Sequence, residues 1–186
     1  SARVESANIE VVEYSKTLSA RVYEAMGGQK KASRAALEAL TRQDASGRNN
    51  PIELFLRDLR GVATIFVLTP EGFQRRMTSA TTEVGASAIG TFLAADHPAT
   101  ASLLAGNPFV GPIRVFGRQY LASYTPIFNA SGVVIGTSVI GIDMADQLAT
   151  LKAQMRSMKI GETGYYYIAD GTPGPNYEPG MELRGK

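Results

Sequence analysis

The sequence predicts an α+β fold, an antiparallel sheet framed by a long N-terminal helix and a second long helix after the sheet. Three observations predict it. Val4, Ala7, Val11, Tyr14, Leu18 and Ala25 recur at spacings of three and four, with Arg21 as the exception, which is the period of a helix that packs on a partner. Residues 109–143 alternate in the manner of strands and are broken by turn signals. Met144, Leu148, Leu151, Met155 and Met158 then return to spacings of four and three.

The elements follow in order. Gly27-Gly28 interrupts the first helix. An alanine-rich helical stretch runs from Lys30 to Leu40, and Gln43 to Asn50 reads as a loop. A third helix is expected after Asn50, with Pro51 at its first position, Glu53 completing a capping box and Gly61 just past its end. Ala63 to Leu68 and Phe73 to Ser79 form a hairpin across Thr69-Pro70-Glu71-Gly72. Thr81 to Gly85 is loop, and His97-Pro98 opens a short helix that Gly106 ends. Three strands come next: Phe109 to Phe116, Arg118 to Phe128, and Val133 to Ile142, the last two joined at Asn129-Ala130-Ser131-Gly132. Gly111 and Pro112 mark an edge or a bend, and Gly136 and Gly141 mark bulges or close approaches. Asp143 reads as the cap of the second long helix. Gly164 to Asp170 is a further strand, followed by a glycine- and proline-rich tail.

Composition removes several function classes. The 186 residues carry 44% hydrophobic side chains, ordinary for a globular protein, and a net charge of +2. Nothing resembles a basic nucleic-acid face, so no nucleic-acid partner is expected. There is no cysteine and a single histidine, which leaves no zinc site, and no cofactor or metal is expected. No window is apolar enough to cross a bilayer, and Ser1-Ala2-Arg3 does not open a signal peptide. Neither a G-x-S-x-G elbow nor a phosphate-binding loop is present. His97 before Pro98 reads as a helix-opening residue rather than a catalytic base, and Asp96, Asp143 and Asp146 read as helix-start residues. The chain is therefore not expected to be an enzyme.

Binding chemistry remains. Arg118, Tyr120, Ala122 and Tyr124 share one face of a strand. A guanidinium pairs both oxygens of a carboxylate, a phenol adds a hydrogen bond, and alanine leaves room. Arg75, on the strand from Phe73 to Ser79, faces with Phe73, Met77 and Ser79 under strict alternation, and supplies a second cation. On the bland reading these arginines are solvated and the tyrosines edge the core.

The stretch from Ala63 to Lys186 resembles the extracytoplasmic Cache sensor domains of bacterial methyl-accepting chemotaxis receptors, in the variant where a Cache type 3 module runs into a Cache type 2 module. The segments "ATIFVLTPEGFQRRMTS", "AIGTFLAADHPATASLLAGNPFVGPIRVFGRQYLASYTPIFNASGVVIGTSVIGIDM" and "KIGETGYYYIAD" carry the likeness. Phe73, Arg75, Thr78 and Ser79 meet one family strand pattern. Phe116, Gly117 and Tyr120 meet a second, and Gly132, Ile135, Gly136, Gly141 and Asp143 a third. The resemblance implies a PAS-like fold, with residues 1–60 as N-terminal signalling helices and 61–143 as the ligand-binding module. Residues 144–160 become a connecting helix, and 161–186 the start of an incomplete membrane-proximal module, since the tail lacks the family's His-Pro segment.

It also implies a receptor anchored in the inner membrane through segments outside this sequence, with a periplasmic sensor that binds a small organic anion such as acetate, propionate or a dicarboxylate. The expected ligand site is Arg75, Ser79, Arg114, Phe116, Arg118, Tyr120 and Tyr124, with Phe116 as an apolar wall and residues 81–105 as a lid. Self-association as a homodimer through the long helices is expected. A ligand-free dimerisation scaffold is the alternative, as is the sensor of a histidine kinase or of a cyclic-di-nucleotide enzyme.

Overall fold

The computed structural model describes residues 2–42, 51–52, 61–80, 82–145, 153 and 155. Two compact units divide the chain, Ser1–Asp143 and Met144–Lys186. In the second, Ala145, Ala153 and Met155 are helical. The rest of the expected helical stripe and the strand expected from Gly164 lie outside the described residues, as do the loop at 43–50 and the body of the helix expected after Asn50.

The first unit opens with α1 (Ala2–Ala25). Its buried side is Val11, Ser15, Leu18, Ser19 and Val22, and Met26 just past its end is also buried. Ala25, expected in that stripe, is exposed. Two serines instead occupy buried positions because their hydroxyls find partners on the sheet. Ser15 Oγ shares a 2.7 Å hydrogen bond with Thr125 Oγ1. Ser19 Oγ shares one of 2.9 Å with Ser138 Oγ. A turn further on, the Tyr23 hydroxyl accepts the Phe128 N–H at 2.8 Å. Residues 15, 19 and 23 are four apart and so lie on one side of the helix.

A single 3-10 turn (Gln29–Lys31) precedes α2 (Arg34–Thr41). Ser33 caps α2, its side chain accepting the Ala36 N–H at 3.0 Å. The alanine-rich helix expected from Lys30 thus begins later, because Ser33 terminates the donors of the next turn.

Five antiparallel strands follow: β1 (Gly61–Thr69), β2 (Gly72–Thr78), β3 (Phe109–Val115), β4 (Arg118–Phe128) and β5 (Val134–Asp143). A short helix, α3 (Pro98–Leu104), lies between β2 and β3. The sheet order is β2-β1-β5-β4-β3, so the first and last strands meet in the middle. β3 is an edge strand, where Pro112 leaves no ladder bond unmade. An antiparallel sheet carried on a long N-terminal helix is the PAS-like arrangement that the sequence resemblance implied.

β1 and β5 are buried on both sides through their middles. Gly136 shows why glycine stands there: a Cβ would strike the carbonyl oxygen of Phe66 and come within 2.8 Å of Leu37 Cδ2 on α2.

The β1–β2 register is irregular. Ile65 pairs with Met77 and Phe66 with Arg75, so Arg76 is left over as a bulge. Strict alternation put Phe73, Arg75, Met77 and Ser79 on one face, and the bulge corrects that. One extra residue reverses the facing of everything beyond it. Phe73 and Arg75 stay opposite Leu68 and Phe66, whereas Met77 goes with Ile65. Ser79 is spent elsewhere: its Oγ accepts the Ala63 N–H at 3.0 Å, and its own N–H donates to the Ala63 carbonyl.

Candidate ligand-binding site

The sheet face away from the α1 hydroxyls is built from Phe66, Phe73, Ile113, Tyr120, Ala122, Tyr124 and Val139, with Leu93, Ala99 and Leu103 packed on it from the segment between β2 and β3. That segment is tied to β2 by main-chain bonds. Gly90 N–H donates to the Arg75 carbonyl, Arg75 N–H to that of Thr91, and Leu93 N–H to that of Phe73. Residues 90–93 thus run as a short edge along β2 and fold back over the face.

Arg75 lies in this enclosure and is 7% exposed. Its register partner Phe66 places a ring 4.9 Å from the guanidinium carbon, and Phe116 places another at 5.2 Å. Both distances suit a cation above an aromatic face. Nη1 donates to Thr91 Oγ1 at 2.9 Å and to the Phe92 carbonyl at 3.5 Å. Nε and Nη2 have no acceptor, and no acidic side chain pairs with the guanidinium, among the described residues. Burial lowers its pKa from the usual guanidinium value, and Tyr124 partly offsets that. It nevertheless remains a cation at neutral pH.

Phe116 reaches Arg75 by an unusual route. It is the one non-glycine residue with positive φ among those described, at 48°, and Gly117 follows at 80°. Positive φ at both central residues is what a two-residue hairpin turn requires. A phenylalanine there holds a left-handed backbone at a cost of about 1–3 kcal/mol. Bulky side chains at such positions accompany functional constraint.

Tyr124 stands across the sheet. It pairs with Phe109 of β3 and Val139 of β5 and is 1% exposed. Burial pushes its phenol well above the ordinary value, against the pull of Arg75. The hydroxyl is thus a neutral donor. His97 completes the group, its ring centroid 5.4 Å from that of Tyr124 and 6.4 Å from that of Phe109. Its Nδ1 accepts the Ala99 N–H at 3.1 Å, capping α3, which is the helix-opening role its sequence context predicts. Burial first, and Arg75 second, hold the imidazole below its usual pKa, while Asp96 acts in the opposite sense.

Of the residues expected at the site, the structure brings Arg75, Phe116 and Tyr124 together. Tyr120 is buried on the same face. Arg114 and Arg118 are exposed, and Ser79 is bonded to β1 as described. Sequence reasoning did not assign Phe66, Thr91, Phe109 or His97 to the site. The signal for His97 was its position beside Pro98 in a segment that had to fold back; only the fold shows that it faces Tyr124. Among the described residues no cluster of His, Asp or Glu fits a metal ion, and no helix is long and apolar enough to cross a membrane.

The arrangement collects hydrogen-bond donors. A buried guanidinium, a neutral phenol and an imidazole line a surface that is otherwise mainly apolar.

Comparison with known proteins agrees with the fold. The structure is similar to the periplasmic sensory domain of the Campylobacter jejuni chemoreceptor Tlp1, with a TM-score of 0.56 and 15% identity over 89% of this chain and 62% of that one. It is also similar to the Escherichia coli DcuS sensor domain, with a TM-score of 0.50 and 17% identity over 80% of this chain and 96% of that one. The chain thus spans less than two thirds of the Tlp1 domain. No curated protein matches the sequence. The profile of the Cache 3/Cache 2 fusion domain matches residues 28–176. The chain belongs to the Cache 3/Cache 2 fusion domain family, the family that its sequence resemblance implied.

Proposed function

We propose that the face bearing Arg75 binds a small organic carboxylate, and that the chain is the sensing part of a membrane-anchored receptor that transmits occupancy without turnover. The observation that carries this reading is the buried Arg75 guanidinium, with no acidic partner among the described residues. An isolated buried charge is costly, and a carboxylate supplies the missing counter-charge. The Nε and Nη2 edge of the guanidinium is free to receive both of its oxygens. Tyr124 donates a third hydrogen bond.

In this proposal residues 61–143 form the ligand module and 82–105 its cover, because Thr91 and the Phe92 carbonyl already bond Arg75. Residues 1–60 and 144–160 are assigned the part of carrying the signal toward the membrane, and 161–186 that of beginning a second module. A ligand shifts the equilibrium between two states only by its differential affinity for them. That difference arises as the cover tightens on Arg75. The parent receptor controls chemotaxis, or feeds a histidine kinase or a cyclic-di-nucleotide enzyme, and pairs as a homodimer through its long helices.

The test is a thermal-shift and calorimetric screen of the 186-residue chain with acetate, propionate and C4 dicarboxylates. A ligand that binds only the native state at 100 times its Kd stabilises it by about 2.7 kcal/mol. Arg75→Met is expected to abolish the shift, and the exposed Arg118→Ala to leave most of it. Binding that survives Arg75→Met and is lost with Arg118→Ala would move the site to the β3–β4 turn. A chain that no carboxylate stabilises would favour the ligand-free scaffold.

A further inference from the structure

We propose that His97, whose Nδ1 caps α3, is a second uncharged donor to the ligand, and that the site therefore takes monocarboxylates in preference to dicarboxylates. This rests on the carboxylate reading above and decides between its two ligand classes.

Nδ1 of His97 accepts the Ala99 N–H at 3.1 Å. A neutral imidazole has one donor and one acceptor nitrogen, so the proton sits on Nε2. Nε2 points away from α3, and no acceptor takes its proton among the described residues. The ring lies against Tyr124 and Phe109, within electrostatic reach of Arg75. His97 thus offers a single N–H to the same surface that Arg75 and Tyr124 serve.

The cap also opposes a second charge. Protonating His97 would place a hydrogen on Nδ1, directly opposite the Ala99 N–H, and forfeit that bond. The groups facing the ring are Arg75 from β2, Tyr124 from β4 and Asp96 from its own segment, while β3 contributes the apolar Phe109. Arg75 repels an imidazolium, Tyr124 is uncharged, and only Asp96 favours it. The site thus holds one positive charge.

A monocarboxylate satisfies that charge, with Arg75 on both oxygens and His97 and Tyr124 as added donors. A second carboxylate would find no second buried cation, since Arg75 is the one buried charged residue among those described. Of the other cations on these strands, Arg76 is directed to Glu38 on α2, and Arg114 and Arg118 are exposed. An unpaired buried anion is strongly disfavoured.

Calorimetry on the 186-residue chain tests this, with propionate and succinate as probes at pH 6.0 and 7.5, each in two buffers of different ionisation heat. Propionate is expected to bind at least about tenfold tighter than succinate, with the same enthalpy in both buffers, since no proton is taken up. His97→Asn keeps an oxygen to cap α3 but withdraws the Nε2–H, and is expected to lower propionate affinity by roughly tenfold at unchanged Tm. Three results would overturn the inference and leave an Arg75-dependent carboxylate site standing: equal or tighter succinate binding, uptake of close to one proton, or full affinity in His97→Asn. Binding of neither acid would overturn both readings.

Discussion

The two faces of one sheet follow opposite rules. Toward α1, the polar groups pair with one another: Ser15 with Thr125, Ser19 with Ser138, and the Tyr23 hydroxyl with the Phe128 N–H. All are neutral, and each bond closes a local account between helix and strand. On the other face a cation is buried beneath two rings, and three donor groups have capacity left over. A satisfied polar seam fixes a register. An unsatisfied one holds free energy in reserve for whatever satisfies it. The proposed site lies on the face where hydrogen bonding is incomplete.

The sharpest break of that contrast is Arg75→Met. Hydrogen bonds to charged groups are worth about 1.5–3 kcal/mol each, so carboxylate affinity should fall at least about 100-fold by calorimetry. The Tm should hold or rise, because an unpaired buried charge is replaced by an apolar chain of similar length. A matching drop in Tm would mean that the guanidinium serves the core rather than the ligand.

Ser138→Ala is the corresponding cut on the helix side. It leaves the Ser19 hydroxyl buried without a partner, and a destabilisation of about 1–3 kcal/mol is expected in urea unfolding. The double variant Ser19→Ala/Ser138→Ala should recover much of that loss, and ligand affinity should be unchanged in both. A change in affinity would show that the two faces are coupled.

Phe116→Asn is smaller. Asparagine tolerates positive φ, so stability should stay within about 1 kcal/mol. Loss of the ring from Arg75 should weaken ligand binding only by about two- to fivefold, the worth of an exposed cation–π contact.

The smallest effect is in pH. The folded pKa of His97 lies below its unfolded value, near 6.5, so the unfolded chain takes the proton first. The Tm should be flat in this respect above about pH 6.5, decline as pH falls from there toward the folded value, and level off below it. His97→Asn should remove that part of the decline. A Tm that rises on acidification through this range would reverse the assigned environment of the ring.

Much of the fold was legible because hydrophobic period survives in a single sequence. β4 occupies residues 118–128 as alternation predicts, and the β1–β2 hairpin turns at Thr69–Gly72. The helical stripe was legible at Val11 and Leu18 but not at Ser15 and Ser19, since a buried serine is recognisable only by its partner more than 100 residues away. For the proposed site, the sequence offers arginines and tyrosines on strand faces but does not say which of them the fold brings together. Arg75 and Arg118 both lie on alternating strands, and nothing local says that residues 90–93 will fold over the first and leave the second in solvent. The bulge was invisible for a related reason: alternation assumes uniform pairing, and a bulge belongs to two strands at once. His97 needed the same folded segment to acquire its neighbours.

That bulge has a mechanical consequence. Arg75 turns to the ligand side, and its main chain is clamped by Gly90 and Thr91. Arg76, the residue left over by the register shift, turns the other way and comes within 3.9 Å of Glu38 on α2. A single peptide link thus joins a side chain held by residues 90–93 to one beside α2. If a ligand moves Arg75, the Arg76–Glu38 separation is expected to change with it, a shift that a distance probe between β2 and α2 would read.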